Sequence, residues 1–100
     1  MLKGKTAVIT GASRGIGAAV AVKLAARGAD IAVIYAGNVE AANQVRKECI
    51  EQYGVKAVAY KCNVADFSQV RETVAQIKND FGTVHILINN AGITKDGLLA

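Results

Sequence analysis

Proline is absent from this chain, so no helix or central strand is interrupted by a residue that lacks an amide donor. Cysteine and histidine are scarce: Cys49 and Cys62 stand apart without paired spacing, and His85 is the only histidine. A zinc site takes about four clustered ligands, so no metal is expected. Buried reduced thiols are the plain reading of the two cysteines. Nothing pairs His85 with a nucleophile, and it is expected as a surface residue where a strand begins. No run of Lys and Arg carries interleaved aromatics, which leaves nucleic acid without a docking pattern. No apolar segment approaches membrane-spanning length. The N-terminus offers an early Lys3 and then a strand-like run too short for a signal-peptide core, so a cytoplasmic protein is expected.

What the chain does contain is apolar and evenly spaced. Hydrophobic residues make up 52% of its 100 positions and charged residues 20%, a balance that describes a buried α/β core and not a disordered chain. That length allows one small domain at most. The net charge of +4 suits an anionic cofactor or an acidic partner, and a solvated surface equally well.

One stretch organises the rest: Thr10-Gly11-Ala12-Ser13-Arg14-Gly15-Ile16-Gly17. It follows the apolar run Ala7-Val8-Ile9 and opens an Ala-rich helical pattern from Ile16 to Arg27. A strand, a glycine turn and a helix in that order form the setting in which a glycine-rich loop cradles phosphate. Gly11 would make the sharp turn off the strand, Gly15 would leave room for a pyrophosphate, and Gly17 would let the helix lie close to the sheet. The free amides and positive dipole end of the helix would then face the anion. Small residues at this spacing also serve plain helix packing, so the context carries the reading.

Beyond the loop the chain alternates. Gly28 closes the first helix as a C-terminal cap, and Ile31-Ala32-Val33-Ile34-Tyr35 reads as a second strand. Val39, Ala42, Val45, Cys49 and Tyr53 recur at helical spacing, and Gly54 ends that helix. Val55 to Lys61 reads as a third strand. Asp66 caps a third helix, with Gln69 placed as in a capping box. Phe67, Val70, Val74, Ile77 and Phe81 give that helix an apolar stripe, and Gly82 ends it. His85 to Asn89 reads as a fourth strand, and Leu98 and Leu99 as the start of a further helix. Strands about 25 residues apart with a helix in each gap predict βαβ units, a doubly wound parallel sheet of Rossmann type. Four strands and three helices of that fold are present, with right-handed crossovers setting helices on both faces.

The polar and glycine-rich segments fall where such a sheet binds ligands. Thr10-Gly11, Ala36-Gly37-Asn38, Cys62-Asn63-Val64 and Asn89-Asn90-Ala91-Gly92 each follow the carboxyl end of one strand. Four loops of this kind on one edge are unlike chance.

With these residues in place, the sequence resembles the short-chain dehydrogenase/reductase family over its whole length. The loop matches T-G-x-x-x-G-x-G, and Asn89-Asn90-Ala91-Gly92 matches N-N-A-G. Within that family, Ile93-Thr94-Lys95-Asp96-Gly97-Leu98-Leu99 looks like the 3-oxoacyl-[acyl-carrier-protein] reductases of fatty-acid synthesis, with acetoacetyl-CoA and other ketoreductases reading similarly. The resemblance implies an acyl carrier protein or CoA thioester substrate and a tetramer of identical chains. It also implies that Gly11, Ser13, Arg14 and Ile16 line the pyrophosphate and adenosine side. Asn63 and Val64 would meet the adenine where the family has Asp-Val; the Asn carbonyl would accept from the amino group without charge. Read alone, Asn63 is equally an ordinary turn residue. Asn90, Ala91 and Gly92 would follow the ribose toward the nicotinamide, with Asn89 holding neighbouring strands together.

Cofactor choice follows from charge. NAD sites place an acid after the second strand to bind the ribose 2′-hydroxyl. Here Tyr35, Ala36, Gly37 and Asn38 stand at that place, with no acid. Arg14 offers a guanidinium fork suited to a phosphate, so the expected cofactor is NADP. The family's chemistry resides in a Ser and a Tyr-x-x-x-Lys. Tyr35, Tyr53 and Tyr60 are followed four residues later by Val39, Ala57 and Val64, so none begins that motif and no catalytic residue can be named. The 100 residues therefore read as the N-terminal cofactor-binding part of one Rossmann domain, truncated before its catalytic half. The other reading is a module that holds a dinucleotide without turning it over.

Overall fold

A computed structural model describes residues 1–90 of the chain, and the site residues Ala91 and Gly92, with the helix expected around Leu98 and Leu99, lie outside the described residues. Seven elements alternate: β1 (Thr6–Thr10), α1 (Gly15–Ala26), β2 (Asp30–Tyr35), α2 (Val39–Tyr53), β3 (Ala57–Lys61), α3 (Phe67–Phe81) and β4 (Ile86–Asn89). The strands form one parallel sheet in the order β3-β2-β1-β4. The chain winds outward from β1 through β2 to β3, then crosses to the other side of β1 for β4. The reversal between β1 and β4 makes the crevice above their carboxyl ends the place where this fold takes ligands.

Burial explains the layers. β1 and β2 carry apolar residues in both directions because both of their faces are covered. Ile9, Ile31, Val33 and Tyr35 point to the face of α1 and α2, where they meet Ala21, Ala25, Ala42, Val45 and Cys49. Val8, Ala32 and Ile34 point the other way and pack with Tyr60, Cys62 and Ile77 under α3. Each fully buried Ile or Val contributes about 1.5–3 kcal/mol. On α1 the buried residues are Gly17, Ala21 and Ala25, four apart, so the helix presents a flat face to the sheet. Its far end closes on Gly28, whose φ of +99° lets its amide reach Ala25 O at 2.9 Å while Ala29 N reaches Leu24 O at 3.1 Å.

Three local expectations are corrected. β3 starts at Ala57 and not Val55, because Asp30 Oδ1 accepts the Lys56 amide at 3.0 Å before the ladder with β2 begins. His85 precedes β4 and closes its ladder with a side chain: Nδ1 accepts from Thr6 N at 3.0 Å, and His85 N donates to Thr6 O at 2.9 Å. The stripe read on α3 is only partly covered. Thr73 and Ile77 are buried, whereas Phe67 is 74% and Val74 45% exposed. The reason is tertiary: β4 borders the described sheet and leaves Leu87 66% exposed, so α3 has little to pack against on that side. The Arg71 guanidinium lies 5.9 Å from the Phe67 ring and gives it partial cover. At the other end of α3, Tyr60 donates its hydroxyl to Asp80 Oδ2 at 2.5 Å, and Lys56 Nζ donates to the Asp80 carbonyl. These bonds fasten α3 to β3.

Candidate cofactor site

The site begins where β1 runs out. Gly11 takes a φ of +63°, turning the chain off the strand, and the next amide, Ala12 N, donates to Ile34 O at 3.1 Å. That bond ties the loop to the end of β2, and the Ala12 methyl is fully buried beneath it. Ser13 is half-buried, and Arg14 stands exposed in extended backbone as the residue before α1.

Gly15 and Gly17 then do different work. A Cβ on Gly17 would lie 2.3 Å from Gly11 O and 2.8 Å from Asn90 Nδ2, so no side chain fits between α1 and the turn. Asn90 Nδ2 donates to Gly11 O at 3.3 Å, which holds the turn against the end of β4. Gly15 is the opposite case: nothing lies within 4 Å of where its Cβ would be. Its φ is +64°, however, so it is also a conformational requirement of the loop, which its spacing alone does not show.

The start of α1 differs from the other helix starts. Asn38 Oδ1 caps α2 through Ala41 N at 2.9 Å, and Asp66 Oδ1 caps α3 through Ser68 N at 3.0 Å and Gln69 N at 3.3 Å. On α1 no side chain caps the first turn, and that turn holds no acid. Its amides and the positive dipole end therefore face the open space over Gly15, an arrangement suited to an anion. Ile16, 75% exposed, adds an apolar surface beside those amides.

The remaining strand ends gather on the same edge. Thr10 Oγ1 donates to Asn89 Oδ1 at 3.1 Å, joining β1 to β4 as expected of a structural Asn. At the end of β2, Ala36 and Asn38 are exposed, while the Tyr35 side chain turns into the core beneath α2. Tyr35 thus shapes the β2 end from below and does not present its ring to a ligand. Asn63 Oδ1 accepts from Ala65 N at 3.0 Å, the turn role that its residue type also allowed, and a second lone pair remains on that oxygen.

Of the expected capping box between Asp66 and Gln69 one half forms, with Asp66 Oδ1 accepting from Gln69 N, and the reciprocal half is replaced by a relay. Gln69 Nε2 donates to Asp66 Oδ2 at 3.2 Å, and its Oε1 accepts from Asn63 N at 2.9 Å. The Asp66 amide is taken by Asn63 O at 2.9 Å, so the Gln69 carbonyl serves the Asn63 turn instead. The three-residue spacing of Asp66 and Gln69 signals a cap in the sequence, but not this use of it. Below the turn, an apolar groove of ≈ 260 Å³ runs between α3 and β4, lined by Thr10, Cys62, Val64, Val74, Leu87 and Asn89 among others. Val64 and Asn89 bring two of the strand-end loops to its rim. Two larger hollows, around Met1 and Arg27 and around Lys3 and Tyr53, lie at the opposite edge, away from every strand-end loop. Among the described residues no cluster of His, Cys, Asp or Glu has the arrangement of a metal site, and no helix is long and apolar enough to cross a membrane.

The family model for short chain dehydrogenases matches residues 5–100. The chain belongs to that family. It is 47% identical over 95 residues to the 3-oxoacyl-[acyl-carrier-protein] reductase of Staphylococcus epidermidis, covering 95% of this chain and 38% of that protein. It is 49% identical over 92 residues to sorbose reductase of Candida albicans, covering 92% of this chain and 32% of that one. Among solved structures, an NAD+-bound xylitol dehydrogenase superposes with a TM-score of 0.86 at 38% identity, over 92% of this chain and 35% of the other. A mutant short-chain dehydrogenase/reductase from Serratia marcescens gives 0.87 at 37% identity, over 98% and 41%. The chain thus spans well under half the length of each of these relatives. Short-chain dehydrogenases use a nicotinamide dinucleotide, and the uncapped first turn of α1, the open space at Gly15 and the close approach at Gly17 fit its pyrophosphate.

Proposed function

We propose that this chain is the cofactor-binding part of a Rossmann domain in an NADP-dependent ketoreductase. That enzyme would reduce 3-oxoacyl thioesters on acyl carrier protein or CoA, in the cytoplasm and as a tetramer. The observation that carries the cofactor reading is the start of α1: a helix with no side-chain cap and no acid in its first turn, opening over a glycine that leaves its approach clear. In this reading the amides of Gly15, Ile16 and Gly17 bind the pyrophosphate, and Ser13 lines it from the loop. Asn38 and Ala36 border the adenosine ribose. Asn63 and Val64 meet the adenine, whose apolar face suits the groove beside Val64. Asn90 sets the turn that orients this cradle, with Ala91 and Gly92 following toward the nicotinamide.

A bound nicotinamide supplies the hydride, and this chain's residues bind and orient the carrier of that hydride. Proton delivery to the ketone needs a positioned acid, which the family finds in a Tyr-x-x-x-Lys beyond this segment. The thioester substrate is supported by the 47% identity to a 3-oxoacyl-[acyl-carrier-protein] reductase and by the residues after N-N-A-G. The polyol and sugar enzymes among the relatives support the wider alternative of another carbonyl substrate.

The phosphate preference is assigned to Arg14. An exposed guanidinium one residue before an uncapped helix attracts a 2′-phosphate, whereas an acid at the β2 end would repel it. Titrating NADPH and NADH against the parent protein and Arg14→Ala tests this. The variant is expected to lose about 1.5–3 kcal/mol more with NADPH than with NADH, the range for a charge-assisted hydrogen bond. Equal losses for both cofactors would refute it.

A further inference from the structure

We propose that Lys61 is a second cation for the adenosine 2′-phosphate and a specificity-determining residue, acting with Arg14 from the opposite side of the β2 end; this rests on the NADP reading above. β2 lies between β1 and β3 in the sheet. Arg14 comes from the loop after β1, and Lys61 is the last residue of β3, so the two cations flank β2 by one strand on either side. Lys61 stands in register with Tyr35, the last residue of β2, whose carbonyl accepts Cys62 N at 2.8 Å. Neighbouring strands are about 4.8 Å apart, a gap that a Lys side chain spans.

The direction of the side chain follows from alternation along β3. Tyr60 and Cys62 enter the core beneath α3, so Lys61 leaves from the other face, that of Tyr35 and α2. It does so exposed, at the upper corner where Ala36, Gly37 and Asn38 carry the chain from β2 into α2. Asn38 commits Oδ1 to the α2 cap, which turns its Nδ2 into the group available for donation. No acid occupies residues 35–38; the nearest in sequence, Glu40, sits exposed in the first turn of α2 and opposes part of this field. A phosphate placed over the β2 end would therefore meet a fork from Arg14, a point charge from Lys61 and an amide from Asn38. An ammonium acts as a point charge without strict geometry, so its contribution tolerates Arg in its place and weakens with salt.

The experiment titrates NADPH and NADH against the parent protein, Lys61→Gln, Lys61→Arg and Arg14→Ala, at about 0.1 M and 1 M salt, with thermal melts alongside. The Debye length falls from about 10 Å to 3 Å over that range. Lys61→Gln is expected to weaken NADPH binding roughly two- to five-fold at low salt, the scale of one screened charge pair, with NADH nearly unchanged. Lys61→Arg should restore NADPH binding, and high salt should shrink the loss. No loss, or an equal loss for both cofactors, overturns the role of Lys61 while leaving the NADP reading intact. A melt shifted with both cofactors weakened assigns Lys61 to the fold and overturns it equally. A parent protein that prefers NADH, with Arg14→Ala leaving that preference unchanged, overturns the NADP reading itself.

Discussion

Gly17 is the residue whose replacement most directly tests the geometry of the cradle. A methyl there would lie 2.3 Å from Gly11 O, 2.8 Å from Asn90 Nδ2 and 2.9 Å from Gly11 C, all inside contact distance. Two of these atoms are backbone and belong to a turn tied to β2, so they cannot swing aside as a flexible side chain would. Gly17→Ala must push α1 away from the sheet or break the 3.3 Å bond from Asn90 to Gly11 O. Overpacking of this kind costs about 1–3 kcal/mol, and a lost hydrogen bond about 0.5–1.5 kcal/mol. Against this, Ala is favoured over Gly inside a helix by about 1 kcal/mol. The net expectation is a destabilisation of about 1–3 kcal/mol, measured by urea unfolding. Weaker binding of NADPH and NADH alike should accompany it, because the first turn of α1 moves relative to Gly11. A Gly17→Ala protein as stable as the parent, or more so, would mean that helix propensity alone governs the position and that the close approach is not a constraint.

Gly15→Ala meets no neighbour but must hold a φ of +64°, so it should cost about 1–2 kcal/mol in stability and additionally weaken cofactor binding, read by melts and titration of the folded fraction. His85→Ala removes the acceptor of the buried Thr6 amide and is expected to cost about 1–3 kcal/mol in denaturant unfolding, with His85→Asn recovering part of it by offering a side-chain oxygen. Burial, with Glu48 adding to it, pushes the Cys49 thiol up from 9.0 to about 11. The stability that Cys49 contributes as a neutral thiol is therefore complete below pH 9.0 and lost as pH rises toward about 11. The native protein should resist a thiol reagent at Cys49 at pH 8, reacting there only after denaturation, and Cys49→Ala should lessen the alkaline fall in stability.

Much of this molecule is fixed by local physics and is therefore legible in the chain itself. The glycines that stop α1, α2 and α3, the cap at Asp66, and the apolar runs of β1 and β2 act within a few residues of themselves. They define four strands, three helices and the loops between them. Parallel pairing then follows from the spacing, and the binding edge from the parallel pairing. The glycine loop and the Asn89-Asn90 pair are recognisable for the same reason, since each is a short segment with its own signal.

Tertiary structure decided what depends on contacts far apart in sequence. The Asn90 bond to Gly11, the His85 bond to Thr6 and the lack of room at Gly17 each join residues brought together only by β4 pairing with β1. The α3 stripe was legible, but how much of it is covered depends on what stands beside β4. Whether Tyr35 faces ligand or core depends on the packing of α2 over β2, which places its ring in the core. That Arg14 and Lys61 flank one strand end depends on β2 lying between β1 and β3. Composition and periodicity report which residues prefer burial. Only the packed sheet determines which strand ends stand side by side, because strand order is set by the competition of whole faces for cover.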